Sequence, residues 1–135
     1  YIYIYIYIYI VCHVLSVNVM YYSGESVNFT CFFPKESRST VAWVKQRAGE
    51  KTLLIASSYQ ALPAVFENYF DKHNRFFVEK DDSRFNLSIT NVKESDTATY
   101  YCVKYIYQFT FGESTDLIVK GKQNDYLNFT VVHVL

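Results

Sequence analysis

The positions of two cysteines and one tryptophan constrain the fold of this chain more than any other feature. Cys31 lies in "SVNFTCFF", where apolar and polar residues alternate, and Cys102 lies in "TATYYCV". Successive side chains of a β-strand point to opposite faces, so each cysteine shares a face with its apolar neighbours. Trp43 likewise falls on the inward-facing side of its own alternating segment, "TVAWVKQ". The pattern therefore predicts that all three side chains enter one core.

Short alternating segments of this kind fill the middle of the chain. The segments "KTLLIA", "RFFVE", "RFNLSIT" and "TDLIVK" are further examples, and turns such as "AGE" and "KDDS" lie between them. Runs of this length, bounded by polar or Gly- and Asp-bearing turns, are typical of β-strands. No segment shows a sustained helical period. Many short strands at this spacing predict an all-β fold, either an antiparallel sandwich or a barrel.

The distances between the cysteines and the tryptophan favour the sandwich. Trp43 follows Cys31 by 12 residues and Cys102 follows Cys31 by 71 residues, a spacing typical of immunoglobulin domains. We therefore predict a disulfide between Cys31 and Cys102, and the alternative is a pair of free, buried thiols. Tyr100 stands two residues before the second cysteine, where a tyrosine hydroxyl can bond back to the backbone.

Several longer segments resemble variable-type immunoglobulin domains. "DTATYYC" is similar to their strand F, and "GESVNFTC", "VAWVKQ" and "RFNLSITNVKESD" are similar to strands B, C and E. The chain is most similar to the novel immune-type receptors of bony fish and next to T-cell receptor variable domains. The resemblance implies two antiparallel sheets with Greek-key connections, and a core signature of Trp43, Leu87 and Tyr100.

The last predicted strand departs from the family pattern at one position. "FGESTDLIV" resembles the joining-segment strand of antigen receptors, but Ser114 stands where the second glycine of that pattern belongs. That glycine allows a strand bulge. Because Gly112 remains, we expect a bulge here with altered geometry.

The resemblance also implies an ion pair at one end of the sandwich. Arg75 matches the family's arginine at the start of strand D, and Asp96 matches the aspartate before strand F. In the alternative arrangement Arg75 meets Glu79 or Asp82 in solvent, where such a pair contributes little.

For function, the resemblance implies recognition of a protein ligand, on another cell or in solution. The chain would be the extracellular domain of an immune-type receptor at the plasma membrane. Three loops, at residues 34–40, 57–63 and 104–110, would meet the ligand, and tyrosines there would give a large contact area with few torsions to freeze. The candidate contact residues are Lys35, Ser37, Arg38, Ser58, Tyr59, Gln60, Lys104, Tyr105, Ile106, Tyr107 and Gln108.

A second candidate surface lies on the outer face of one sheet. Val44 and Gln46 have the opposite orientation to Trp43, and Tyr101 has the opposite orientation to Cys102. With Phe111 these residues form what we call the pairing face. In antigen receptors this face pairs with a second variable domain, so a homodimer or heterodimer is implied. The alternative function is an adhesion or dimerisation module that acts through the same face.

The sequence offers little support for other classes of protein. Thirteen basic and thirteen acidic side chains cancel, so no charge excess favours nucleic acid. The three histidines are scattered, and neither a nucleophile–base arrangement nor a phosphate-binding loop is present. We therefore expect no enzymatic activity, small-molecule substrate, cofactor or metal site.

Two candidate glycosylation sites lie on outward positions of predicted strands. They are Asn28, in Asn-Phe-Thr, and Asn86, in Asn-Leu-Ser. A glycan at either position would stay outside the core, and acceptor sites of this kind are consistent with a secreted, disulfide-bonded domain.

The two ends of the chain differ from the middle. The opening "YIYIYIYIYI" is what a TATATA microsatellite encodes, and Lys120-Gly121-Lys122 has codons that contain the GGTAAG of a splice donor. We expect residues 1–16 to be a low-complexity flank outside the domain, residues 17–120 to be the domain, and residues 121–135 to be an intron-derived tail. In the alternative interpretation the ends are genuine and Cys12 is a free or intermolecular thiol.

Overall fold

The computed structural model describes residues 17–34, 39–105 and 109–121. The predictions made for residues 1–16 and 122–135 lie outside the described residues. Two short 3-10 helices, Phe70–His73 and Glu94–Asp96, are present in the described part of the chain. The strands are β1 (Val17–Tyr22), β2 (Val27–Phe29), β3 (Thr40–Gln46), β4 (Leu53–Ser58), β5 (Val65–Phe66), β6 (Phe76–Lys80), β7 (Phe85–Ile89), β8 (Ala98–Tyr105) and β9 (Phe109–Lys120).

The strands form two sheets, which confirms the predicted all-β sandwich. One sheet has six strands in the order β1-β9-β8-β3-β4-β5, and the other has three strands in the order β2-β7-β6. The neighbouring strands are antiparallel except β1, which runs parallel to β9 with Val17 opposite Thr115 and Tyr22 opposite Lys120. This parallel pair joins the two ends of the domain, and the strand pattern of the sequence did not predict it.

The core lies between the sheets and is built from the inward residues of alternating strands. Phe85, Leu87 and Ile89 of β7 are fully buried, as the alternation of that segment predicts. The indole nitrogen Nε1 of Trp43 donates a hydrogen bond to the backbone oxygen of Phe85 across the sandwich at 2.9 Å. This bond satisfies the one polar atom of a side chain that is otherwise surrounded by apolar groups.

The disulfide links the two sheets at the centre of this core. Cys31 follows β2 and Cys102 lies in β8, and their Cα atoms are 6.0 Å apart. The ring of Phe29 lies between the neighbouring aromatic groups, with its centroid 5.0 Å from that of Tyr100 and 5.9 Å from that of Trp43. The bond therefore constrains the strands that carry the largest core side chains.

The strand β9 contains the expected bulge. Tyr101 is opposite Ser114 and Val103 is opposite Phe111, so three steps along β9 match two steps along β8. A Cβ atom at Gly112 would lie 3.2 Å from the backbone oxygen of Cys102. The close approach of the two backbones explains why glycine stands at this position even though Ser114 replaces the second glycine of the pattern.

One end of the sandwich is closed by a buried polar group that we call the Arg75–Asp96 network. Arg75 Nη1 lies 2.6 Å from Asp96 Oδ2 and Arg75 Nη2 lies 3.1 Å from Asp96 Oδ1. Asp96 Oδ2 also accepts a hydrogen bond from the backbone N–H of Lys93 at 2.8 Å, and the Tyr100 hydroxyl donates to the backbone oxygen of Asp96 at 2.6 Å. The Asp96 carboxylate thus has three hydrogen bonds in a site where it is almost completely buried.

Candidate functional site

The ends of three strand connections meet at the end of the sandwich opposite the Arg75–Asp96 network. Thr40 is opposite Tyr105 and Val41 is opposite Ser58, so the start of β3 lies beside the ends of β4 and β8. The connections that follow β2, β4 and β8 therefore leave or enter the sheets at one edge. We call this region the loop end.

Two lysines hold the loop end together. Lys104 Nζ donates a hydrogen bond to the backbone oxygen of Phe32 at 2.6 Å, which links β8 to the segment after β2. Lys80 Nζ donates to the backbone oxygen of Gln60, which links β6 to the connection after β4. Lys104 and Gln60, both half-buried, were predicted as ligand contacts. The structure shows that the Lys104 side chain and the Gln60 backbone oxygen take part in these bonds within the loop end.

The strands extend further into the loops than the sequence indicated, and one predicted contact residue is wrong. Ser58 belongs to β4, is 1% exposed and donates a hydrogen bond from Oγ to the backbone oxygen of Leu62 at 2.7 Å. It closes the turn from inside, so its side chain is not available to a ligand. The predicted contacts outside the described residues are Lys35, Ser37, Arg38, Ile106, Tyr107 and Gln108.

Aromatic side chains are exposed at the loop end. Tyr59 is 60% exposed, Tyr105 is 43% exposed and Phe109 is 73% exposed. The rings of Tyr105 and Phe109 face each other across the start of the β8–β9 connection, with centroids 4.8 Å apart. We call Tyr59, Tyr105 and Phe109 the loop aromatics. They stand on or beside strands that the core holds in place.

A cavity of about 660 Å³ lies at the loop end between the β4–β5 connection and β6. Its apolar side includes Phe33, Leu62 and Phe66, and its charged side includes Lys80 and Asp81. Backbone N–H groups of Ser83 and Arg84 donate to Asp81 Oδ1, and these hydrogen bonds lower the pKa of the Asp81 carboxyl.

The pairing face forms a continuous surface on the six-stranded sheet. Val44 is opposite Tyr101, and the ring of Tyr101 meets that of Phe111 edge to face with centroids 6.1 Å apart. Val44 and Tyr101 are half-buried, Gln46 is exposed and Phe111 is 67% exposed. The surface therefore presents one large apolar side chain surrounded by smaller or partly covered ones.

A second cavity, of about 260 Å³, lies beside the Arg75–Asp96 network. Several cations line it, and three of them, Lys45, Arg47 and Arg75, have partners within the domain. Lys45 Nζ donates to the backbone oxygen of Ser95 at 3.1 Å, and Arg47 Nη1 lies 3.6 Å from Glu50 Oε1. Burial lowers the pKa of the Lys45 ammonium, which shows that its charge is poorly solvated there. The contacts of these three cations stabilise the closed end.

Two features of the described residues bear on other functions. Among residues 17–34, 39–105 and 109–121, no group of three or more His, Cys, Asp or Glu side chains could hold a metal ion. The same part of the chain contains no helix with the length and apolar character needed to cross a bilayer.

Comparison with known proteins identifies the family. The immunoglobulin V-set domain matches residues 15–120. The rat immunoglobulin kappa chain V region S211 is 32% identical over 99 residues, covering 72% of this chain and 85% of the relative. A mouse T-cell receptor gamma chain V region is 28% identical over 107 residues, covering 70% of this chain and 76% of the relative.

A solved structure supports the same fold. It belongs to a study described as "Structural basis of T cell specificity and activation by the bacterial superantigen toxic shock syndrome toxin-1". Its chain superposes with a TM-score of 0.68 at 24% identity, covering 76% of this chain and 92% of that chain. Domains of this family are typical of immune receptors and antigen recognition, where they are extracellular and in general not enzymes. The chain therefore belongs to the immunoglobulin V-set family.

Proposed function

We propose that this chain is the extracellular recognition domain of an immune-type receptor at the plasma membrane. It binds a protein ligand, on another cell or in solution, through the loop end. The observation that carries this proposal is the exposure of the loop aromatics on strands held by a disulfide-linked core. Tyrosine and phenylalanine bury large areas on binding and lose few torsions, which is why aromatic residues are enriched at the centres of protein interfaces.

The likeness to kappa chain and T-cell receptor variable regions agrees with this proposal, since both are variable regions of antigen receptors. Within that group we assign the chain to the novel immune-type receptors of bony fish, on the segments "GEKTLLIASS" and "NRFFVEKDDSRFNLSITNVKESDTATYYC". A transcript that continues into a membrane span and a cytoplasmic signalling motif would support that assignment.

To test the loop end, the full chain is assembled into tetramers. The tetramers are applied to cells that each express one surface protein, and binding is measured. The loop variant carries Tyr59→Ser, Tyr105→Ser and Phe109→Ser, and the matched control carries Phe111→Ser on the pairing face. We expect the loop variant to lose at least about tenfold in affinity for a captured surface protein, which corresponds to about 1.4 kcal/mol. We expect the Phe111→Ser protein to bind normally. Equal binding by the loop variant would contradict the proposal.

The pairing face supports a second candidate function, adhesion or dimerisation through the six-stranded sheet. Phe111 is the observation in its favour, because it is 67% exposed on β9 and its ring packs edge to face on that of Tyr101. Sedimentation of the full chain over a range of concentrations tests this candidate. A dimer that dissociates when Phe111 is changed to Ser would support it, and a monomer at all concentrations would exclude a homodimer.

A further inference from the structure

The outer face of the three-stranded sheet carries two acceptor asparagines and two exposed phenylalanines. Asn28 is opposite Ser88 on β7, and Asn86 is opposite Glu79 on β6. Both asparagines lie on the outer face, since they alternate with the buried Phe29 and Leu87. Asn28 is exposed, whereas Asn86 is half-buried and its Oδ1 atom is covered and has no hydrogen-bond partner within the described residues. On this otherwise polar face Phe32 is 62% exposed and Phe77 is 52% exposed.

The strand register places Asn86 next to Phe77. Phe77 is opposite Ser88 and Asn86 is opposite Glu79, so Phe77 and Asn86 are diagonal neighbours on the same face of adjacent strands. Diagonal neighbours of this kind lie about 7–8 Å apart and are within reach of an aromatic side chain. Phe32, which bridges to Arg84, lies diagonally on the other side of Asn86.

The two phenylalanines differ in what covers them. The guanidinium carbon of Arg84 lies 5.9 Å from the centroid of the Phe32 ring. Within the described residues no cation and no other aromatic ring stacks on Phe77. An exposed, uncovered phenylalanine beside an acceptor asparagine calls for a group that lies over the ring.

We propose that Asn86 carries an N-linked glycan whose first N-acetylglucosamine packs on the ring of Phe77. One face of a pyranose ring presents C–H groups, which pack well on the electron-rich face of an aromatic ring. The sugar would cover apolar surface that is otherwise in contact with water. The proposal rests on the extracellular location in the proposed function but not on the choice of ligand surface.

The transfer requires a lipid-linked oligosaccharide pyrophosphate as co-reactant. The Asn86 Nδ2 atom forms a bond to C1 of the sugar and loses one proton, while the C1–O bond to the pyrophosphate breaks and the lipid pyrophosphate leaves with the electron pair. Asn86 lies on the central strand of its sheet, with neighbours on both sides. The transfer therefore takes place on the chain before β7 pairs with β2 and β6.

A glycan at Asn28 would extend the cover over the same face. Ser88 Oγ donates a hydrogen bond to Asn28 Oδ1 at 2.7 Å, so this bond uses the oxygen and not the nitrogen that carries the sugar. With both sites occupied, the outer face of the three-stranded sheet is closed to proteins. The six-stranded sheet and the loop end then remain as the surfaces for protein contact.

The experiment uses the full chain secreted from mammalian cells behind a leader peptide, with mass spectrometry of glycopeptides and thermal unfolding as measurements. Four proteins form a cycle: the parent chain, Asn86→Gln, Phe77→Ser and the double variant. We expect Asn86 to be occupied. We expect Asn86→Gln to lower Tm by about 2–4 °C when Phe77 is present and by less than about 1 °C in the Phe77→Ser background.

Two controls separate the glycan from other effects. The same four proteins are also produced in bacteria, which do not attach the glycan, and are then refolded. In these proteins the effect of Asn86→Gln on Tm should be the same with Phe77 and with Ser at position 77. Phe111→Ser, which changes another exposed phenylalanine on the opposite sheet, should leave the effect of Asn86→Gln unchanged. If a variant is not secreted, enzymatic removal of the glycan from folded parent and Phe77→Ser proteins gives the same comparison.

An empty Asn86, or an equal loss of Tm in both backgrounds, would overturn the proposal, even if the loop end proves to be the ligand site.

Discussion

The Arg75–Asp96 network and the loop end stand at opposite ends of the sandwich. They differ in how far their side chains are buried and bonded within the domain. In the network, a carboxylate that is 2% exposed has all its partners within the domain. At the loop end, Tyr59 and Phe109 are more than half exposed. The difference indicates that one end fixes the fold, and it supports our proposal that the other end meets a protein ligand. Changes at the first end should therefore reduce stability, and changes at the second should reduce binding.

The largest expected effect comes from the disulfide that lies between the two ends. Replacing Cys31 and Cys102 together by Ala should lower the free energy of unfolding by about 2–5 kcal/mol, because the 71-residue loop is no longer closed in the unfolded chain. Urea unfolding of the oxidised parent and the double variant measures this. A loss below about 1 kcal/mol would show that packing around Trp43 holds the sheets together without the bond.

The next effect is expected at the Arg75–Asp96 network. Arg75→Ala removes the partner of a buried carboxylate and should cost about 3 kcal/mol. Arg47→Ala at the same end is the matched control, because the Arg47–Glu50 pair is 41% and 55% exposed and should contribute about 0–1 kcal/mol. Similar losses of unfolding free energy in the two variants would show that the buried network contributes no more to stability than an exposed ion pair does.

A smaller effect is expected from the hydroxyl of Tyr100. Tyr100→Phe removes the hydrogen bond to the backbone oxygen of Asp96 and should cost about 1–2 kcal/mol at neutral pH. Burial also raises the pKa of this hydroxyl above its ordinary value of about 10. The folded state then holds the proton more tightly than the unfolded state, so stability is intact below about pH 10 and falls as the pH rises further. The stability lost on going from about pH 9 to about pH 11 should be smaller in Tyr100→Phe than in the parent.

The smallest effect on stability is expected at the loop end. Changing Tyr59 and Tyr105 to Ser should shift Tm by no more than about 2 °C, because exposed side chains lose little burial when they are shortened. Thermal unfolding of the double variant, beside the binding assay with the same protein, measures both quantities. A large loss of stability would mean that these tyrosines hold the loops and are not primarily contact residues.

The glycan proposal sharpens the comparison between the two sheets. The six-stranded sheet leaves Phe111 exposed on its outer face, and the three-stranded sheet leaves Phe77 exposed. An acceptor asparagine lies beside Phe77, whereas the ring of Phe111 touches Tyr101. Our proposals therefore assign two different partners to similarly exposed rings, a sugar on one sheet and a protein on the other.

The sequence by itself determined the features that depend on local periodicity and on spacing along one chain. The alternation in β2 and β7 predicted which residues enter the core, because side chains of a strand point to opposite faces whatever the partner strand is. The spacing of Cys31, Trp43 and Cys102 identified the sandwich and its disulfide. The sequence also pointed to Gly112 as the site of a bulge.

Only the tertiary structure decided the features that depend on the register between strands distant in the sequence. Ser58 resembles a polar loop residue, but the pairing of β4 with β3 extends far enough to bury it. The parallel pairing of β1 with β9 and the bond from Lys104 to Phe32 join segments separated by 72 residues or more. The position of Phe77 beside Asn86 likewise follows from the β6–β7 register. The alternation fixes the face of each side chain, but a slip of two residues would keep every face and change every cross-strand neighbour, so the local pattern alone does not decide which residues are opposite each other.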